Sequence, residues 1–141
     1  MRRLVLSWQR LLIDGTTCPR CSDTEKELEK AYDILRASLT PLDVEVVLKK
    51  EELTVEEFQK NPLASNLLLI NGRPLEDWLG ASVGASVCCS VCGPRECRTL
   101  EVEDKVHEVI PCELIVRGAL LALHELFAGT GCTQCGPLCC L

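Results

Sequence analysis

The residues best equipped for chemistry are Cys18 and Cys21, set two apart in the run Cys18-Pro19-Arg20-Cys21. Thiols at this spacing exchange with disulfides or hold a thiophilic ion. The run follows an Asp14-Gly15-Thr16-Thr17 turn and precedes a helical pattern, so it falls where a strand passes into a helix. There the unpaired backbone N–H groups and the helix dipole stabilise a thiolate. Arg20 adds a positive charge, whereas Asp23 and Glu25 act in the opposite sense. Pro19 has no N–H to donate and stiffens the connection. Cys18, nearer the turn, is the expected nucleophile and Cys21 the resolving thiol. A soft-metal site and a pair of structural thiols are the competing readings.

The chain has eleven cysteines, an odd number that rules out complete internal pairing. In a cytoplasmic protein such cysteines serve redox chemistry or metals more often than structural disulfides. Cys88, Cys89, Cys92 and Cys97 form a second group. Four thiolates satisfy tetrahedral zinc or an iron–sulfur cluster. Adjacent Cys88 and Cys89 point in different directions, so a single ion is better served by one of them with Cys92 and Cys97. A redox relay, or plain reduced thiols, fits the same residues. Cys132, Cys135, Cys139 and Cys140 close the chain. Their spacing suits a soft cation such as zinc, copper(I), arsenic(III) or mercury(II). A swinging dithiol that re-reduces Cys18 and Cys21, or a terminus without function, fits equally. Cys112 follows Pro111 in an expected first helical turn, where the terminus could activate it; as a small apolar residue it is more often simply packed. His107 and His124 are isolated, and His124 reads as a hydrogen-bonded core residue. There is no Gly-rich phosphate loop and no Ser-His-Asp set.

These groups need elements to position them. Leu4 to Ile13 is an apolar run with Trp8 at its centre, which suits a strand buried on both faces. Ser22 and Asp23 supply helix-start chemistry, and Leu28, Ala31, Tyr32, Leu35 and Leu39 make a helical stripe that Pro41 ends. Val44, Val46 and Leu48 alternate as a second strand, parallel to the first because a helix intervenes. Thr54 and Glu57 form a capping-box pattern before a short helix at residues 55–60. Leu67 to Ile70 is a short strand, Asn71-Gly72 a hairpin turn, and Arg73 to about Trp78 the returning strand. Gly80 to Ser86 reads as small and flexible. Thr99 to Glu103 and Val106 to Ile110 could pair around Asp104. A largely buried helix is expected from Pro111 to Gly129.

Composition narrows the function. The 141 residues suit one domain, and an aromatic fraction of 4% leaves the core to aliphatic side chains. The net charge of −6, with no basic run, argues against nucleic acid. The longest apolar stretch, Leu114 to Ala128, is interrupted by Arg117, His124 and Glu125 and is too short to span a bilayer. The basic start of the chain leads into an apolar run broken by Gln9 and Arg10, with no small-residue cleavage site, so a cytoplasmic protein is expected.

The order strand, C-x-x-C, helix, strand, helix, hairpin and closing helix resembles the thioredoxin fold. More closely, the chain resembles an uncharacterised thioredoxin-like family of bacteria and archaea, described as a domain of unknown function. The matching stretches are Trp8 to Arg10, Asp14 to Cys21, Ile70 to Glu76, and the segment from Cys88 to Thr99. The resemblance implies an α/β, thioredoxin-like domain (β-α-β-α-β-β-α) over residues 1–129, with a cysteine-rich loop insertion at 86–98 and a flexible cysteine-rich tail at 130–141. It also implies a departure, because thioredoxins place a cis-proline before the third strand, facing the cysteines, and here Ser65 and Asn66 hold that place. In thioredoxins that proline presents substrate and discourages metal capture, so its replacement favours metal binding. The expected function is a cytoplasmic thiol–disulfide oxidoreductase in which Cys18 attacks, Cys21 resolves and Arg20 assists. The alternatives are a protein that binds or transfers a soft metal or metalloid, and a structural zinc domain for protein contacts. The expected partners are a protein or small-molecule disulfide or a thiophilic metal, and neither nucleic acid nor a membrane.

Overall fold

A computed structural model of the chain describes residues 2–12, 19–87 and 96–128. Strand β1 (Arg2–Leu11) turns Leu4, Leu6, Trp8 and Leu11 into the core. Its other face is only half-buried, which corrects the expectation of burial on both sides. Ser7, Gln9 and Arg10 lie on that half-buried part, and their polar groups need partners that a sealed apolar layer would deny them. Helix α1 (Pro19–Leu39) buries Leu28, Ala31, Leu35 and Leu39, with Tyr32 partly covered, as its stripe predicts. A 3-10 turn at Thr40–Leu42 and left-handed Asp43 then reverse the chain.

Strand β2 (Val44–Leu53) runs parallel to β1, as expected of a crossover through a helix. Helix α2 (Val55–Lys60) carries the capping box: Glu57 N–H donates to Thr54 Oγ1 at 3.1 Å, and Thr54 N–H to Glu57 Oε1 at 3.1 Å. Strand β3 (Leu67–Ile70) pairs antiparallel to β1 and turns through Asn71 and Gly72, both at positive φ, into β4 (Arg73–Pro74). The expected longer return strand is corrected. Pro74 cannot donate to a ladder, and the chain coils at once into helix α3 (Leu75–Leu79), which buries Leu75. The first sheet therefore has the order β2-β1-β3-β4.

A second sheet follows. The stretch expected to be loose is instead strand β5 (Ser82–Val87), antiparallel to β6 (Glu96–Val102), which pairs in turn with β7 (Lys105–His107). Small residues serve close approach here: a Cβ on Gly84 would stand 2.8 Å from Thr99 Oγ1 on the neighbouring strand. The expected hairpin around Asp104 is present, with Glu103 and Asp104 both left-handed. Helix α4 (Cys112–Ala128) closes the described chain. It buries Leu114, Ile115, Gly118, Ala119, Ala122 and Leu123 but exposes Leu120, Leu121 and His124. It is thus covered on one side only, which corrects both the largely buried helix and the core placement of His124. Among the described residues no helix is long and apolar enough to cross a membrane.

Gly118 is where α4 meets α3 and β3. A Cβ there would run into Leu75 Cδ1 and stand 3.1 Å from Ile70 Cδ1, and both of those residues are buried. Gly118→Val should therefore destabilise the fold by about 2 kcal/mol or more through overpacking, despite the helix propensity gained over glycine. Urea unfolding monitored by tryptophan fluorescence checks this, and an undiminished midpoint would show that the helices separate easily.

Candidate functional site

The structure opens α1 at Pro19, earlier than the helix-start pair Ser22 and Asp23, which corrects that expectation. Proline suits the first helical position because its missing N–H would lack an intrahelical partner anyway. Cys21 consequently lies in the first turn, and it is 2% exposed. Its Sγ stands 3.7 Å from Ser65 Oγ. Cys18 lies outside the described residues. Asp23 faces Lys26 at 3.9 Å, and Glu25 faces Lys50 at 2.9 Å, so both carboxylates have cationic partners.

Arg20, between the two cysteines in sequence, is buried. Its Nε donates to Glu108 O at 3.2 Å, its Nη1 to Ser86 O at 3.5 Å, and its Nη2 to Cys97 O at 3.2 Å and Arg98 O at 2.9 Å. A guanidinium leaves water at high cost unless its donors are satisfied, and here backbone carbonyl dipoles do that. These contacts pin the start of α1 to the end of β5 and the start of β6, the strands on either side of residues 88–95.

The turn before β3 is equally well held. Ser65 is fully buried, and its Oγ accepts from Leu11 N–H at 3.1 Å. Asn66 adopts a left-handed conformation at φ 63°. Its Oδ1 accepts from Trp8 Nε1 at 3.0 Å, its N–H donates to Gln9 O at 2.9 Å, and its Nδ2 donates to Glu108 O at 3.4 Å. Gln9 Nε2 donates in turn to Ala64 O at 2.9 Å. Arg98 joins the same corner, with Nε on Leu63 O at 2.7 Å and Nη1 on Glu76 Oε1 at 2.6 Å. Trp8, Gln9 and Arg98 thus converge on the turn that faces Cys21. Below it lies a narrow cleft lined by Asn66, Leu75, Glu76, Arg98, Thr99 and His107.

A third feature went unforeseen. The chain from Glu108 to the first residue of α4 laces onto one face of α1. Glu108 O accepts from Arg20, Ile110 N–H donates to Thr24 Oγ1 at 3.2 Å, and Cys112 N–H donates to Glu27 Oε1 at 3.1 Å. A polar residue on the buried stripe of a helix, such as Thr24, is the signal that could have found it.

The other cysteines divide. Cys97 lies on β6 with its side chain buried, and its carbonyl is one of those that hold Arg20. Cys112 is half-buried. Burial pushes its thiol up from the ordinary value, and the Glu27 carboxylate adds to this while Lys30 opposes it. The Cys112 N–H at the start of α4 is taken by Glu27. Glu27 itself is held below the usual carboxylate range, first by the Lys30 ammonium at 2.7 Å and then by the Cys112 N–H. Cys88, Cys89, Cys92 and the tail cysteines Cys132, Cys135, Cys139 and Cys140 lie outside the described residues. Among the described residues, no group of three or more His, Cys, Asp or Glu side chains gathers as a metal-ligand set.

Together the described residues form a mixed α/β arrangement of two sheets and four helices, in which a cysteine-bearing helix start is buried against the second sheet. Residues 4–119 match the family model described as "Domain of unknown function (DUF2703)", and the chain belongs to that family. It is similar to an uncharacterised protein of Archaeoglobus fulgidus, 50% identical over 113 residues that make up 80% of this chain and 82% of that one. No solved structure matches the chain.

Two tests follow from these contacts. Arg20→Ala strands several carbonyls beneath the surface and should lower stability by about 3 kcal/mol, from charge-assisted hydrogen bonds of about 1.5–3 kcal/mol each that are partly replaced by water. Hydrogen exchange should show the loss concentrated at the strand ends, Ser86 and residues 96–98; uniform exchange would mean that Arg20 is not the pin. The second test is acid titration. The fold favours ionised Glu27, so its contribution is present above the unfolded carboxylate value of about 4.3 and is lost as pH falls through the lower folded value. Glu27→Gln should flatten that part of the acid limb and should also speed Cys112 alkylation at pH 8, by removing a charge that disfavours the thiolate. Identical acid limbs for the two proteins would rule this linkage out.

Proposed function

We propose that this protein is a thioredoxin-like thiol–disulfide oxidoreductase of the cytoplasm, acting on a protein or small-molecule disulfide through Cys18 and Cys21. The observation that carries the reading is the burial of Cys21 in the first turn of α1, with its sulfur 3.7 Å from Ser65 on the turn that enters β3. The frame supports it as well. A parallel β1-α1-β2 unit joined to an antiparallel β3-β4 hairpin, in the order β2-β1-β3-β4, is the arrangement expected of a thioredoxin-like core, with the sheet β5-β6-β7 inserted before the last helix. A buried second thiol is what a resolving cysteine requires.

In the proposed reaction the Cys18 thiolate attacks one sulfur of the substrate disulfide and expels the other as a thiolate, which leaves a mixed disulfide on Cys18. Cys21 attacks the Cys18 sulfur and expels the second substrate thiolate, which takes up the proton that Cys21 gives up. The substrate disulfide gains two electrons, and the pair closes as an internal disulfide. Arg20 fixes the helix on which the exchange takes place.

Cys18→Ser should abolish exchange, and Cys21→Ser should trap the mixed disulfide, because attack persists without resolution. Alkylation mapped by mass spectrometry should find Cys18 the fastest of the thiols at neutral pH in the reduced, metal-free protein. If Cys18 reacts no faster than the tail cysteines, and Cys21→Ser traps nothing, the oxidoreductase reading fails. A thiophilic metal recovered in stoichiometric amount after anaerobic purification would then give the place to metal binding.

A further inference from the structure

A resolving thiol that is almost wholly buried faces a difficulty, because burial disfavours the thiolate that must attack. Cys21 is 2% exposed, and Ser65 beside it is fully buried. The hydroxyl of Ser65 is oriented by the backbone. Its oxygen accepts the Leu11 N–H at 3.1 Å, which leaves its one hydrogen to be donated elsewhere, and Cys21 Sγ lies within reach at 3.7 Å. The turn that carries Ser65 cannot drift away, since its neighbour Asn66 is tied to Trp8, Gln9 and Glu108. The contact also works in both protonation states. A neutral thiol donates S–H to the hydroxyl oxygen, and a thiolate receives O–H from it.

We propose that Ser65 is the positioning residue for Cys21: its hydroxyl, anchored by the Leu11 amide, donates to the Cys21 sulfur as that sulfur loses its proton, and so lets a buried thiol resolve the mixed disulfide. This rests on the oxidoreductase reading for its role in turnover, but the hydroxyl–sulfur contact itself does not. The place that thioredoxins give to a proline facing the cysteines holds here a side chain that donates a hydrogen bond. The stretch from Ser65 to Asn66 then has a divided task, with Asn66 holding the turn and Ser65 serving the sulfur. In the reaction above, Ser65 takes up no electron and gives up no proton.

The test compares the unmutated chain with Ser65→Ala and Ser65→Thr, reading two quantities. The first is the ionisation of Cys21, followed through its isotope-labelled Cβ resonance across a pH series in reduced protein. The second is the rate at which a chromogenic thiol, loaded on Cys18 as a mixed disulfide, is released. Ser65→Ala should raise the Cys21 midpoint by about one pH unit and slow release about tenfold at pH 7, a factor of ten per unit. The first attack by Cys18 should be unchanged. Ser65→Thr, which keeps the hydroxyl, should restore both quantities. In the unmutated chain the Ser65 Cβ resonance should move at the same midpoint as Cys21, a readout that survives if Ser65→Ala fails to fold. An unshifted Cys21 midpoint in folded Ser65→Ala, or a Ser65 resonance indifferent to the Cys21 titration, overturns the proposal. A chain that forms no mixed disulfide but shows the shifted midpoint sinks the oxidoreductase reading while leaving the hydroxyl–sulfur contact standing.

Discussion

The arrangement depends on a cation kept out of water. The Arg20 guanidinium is buried where the cysteine-bearing helix begins, and its donors reach carbonyls at residues 86, 97, 98 and 108. Burying such a group is worthwhile only if the receiving carbonyls are already positioned. The ends of two paired strands, with Ser86 opposite Cys97, provide that. The second sheet can therefore be understood as a rigid receptor for one side chain. That side chain in turn decides how the helix start meets the rest of the molecule.

The same corner links the helix to the turn before β3. Glu108 O accepts from both Arg20 and Asn66, so one carbonyl couples the element carrying Cys21 to the turn carrying Ser65. The Cys21–Ser65 distance is thus set by a frame of hydrogen bonds rather than by the two side chains alone. Trp8 takes part through its indole N–H, which explains a large polar-tipped aromatic at the centre of an otherwise aliphatic strand. Arg98 and Glu76 brace the same turn from the side of α3.

Much of the frame was legible in the residues. The stripe of α1, the capping box at Thr54 and Glu57, the Asn71-Gly72 turn and the parallel β1-β2 pair all follow from local rules. The second sheet was harder to see. Ser82 to Val87 carries too few large residues to look like a strand, and at Gly84 the neighbouring strand leaves no room for a side chain. Pro74 hid the switch from β4 to α3. Arg20 looked like a charge for tuning thiols, and only the distant carbonyls reveal it as a pin. The Ser65 contact was half visible: its place opposite the cysteines could be inferred, but not the Leu11 amide that orients its hydroxyl. Contacts between side chain and backbone across long separations leave almost no trace in local pattern.

Those separations also carry a consequence for how the chain assembles. The bond from Arg20 to Glu108 joins residues 88 apart, those to Arg98 and Cys97 join residues 78 and 77 apart, and the Ile110–Thr24 bond joins residues 86 apart. Closing such loops costs chain entropy before any contact repays it, whereas the β1–β2 pairing joins residues only 42 apart, as Arg2 to Val44. The corner around Cys21 is accordingly among the last parts of the molecule to form. A chain emerging from the ribosome carries Cys21 long before the residues that anchor its helix start have been made. During that interval the helix start that carries Cys21 has no receptor for its guanidinium, and gains one only once residues 86, 97, 98 and 108 have arrived.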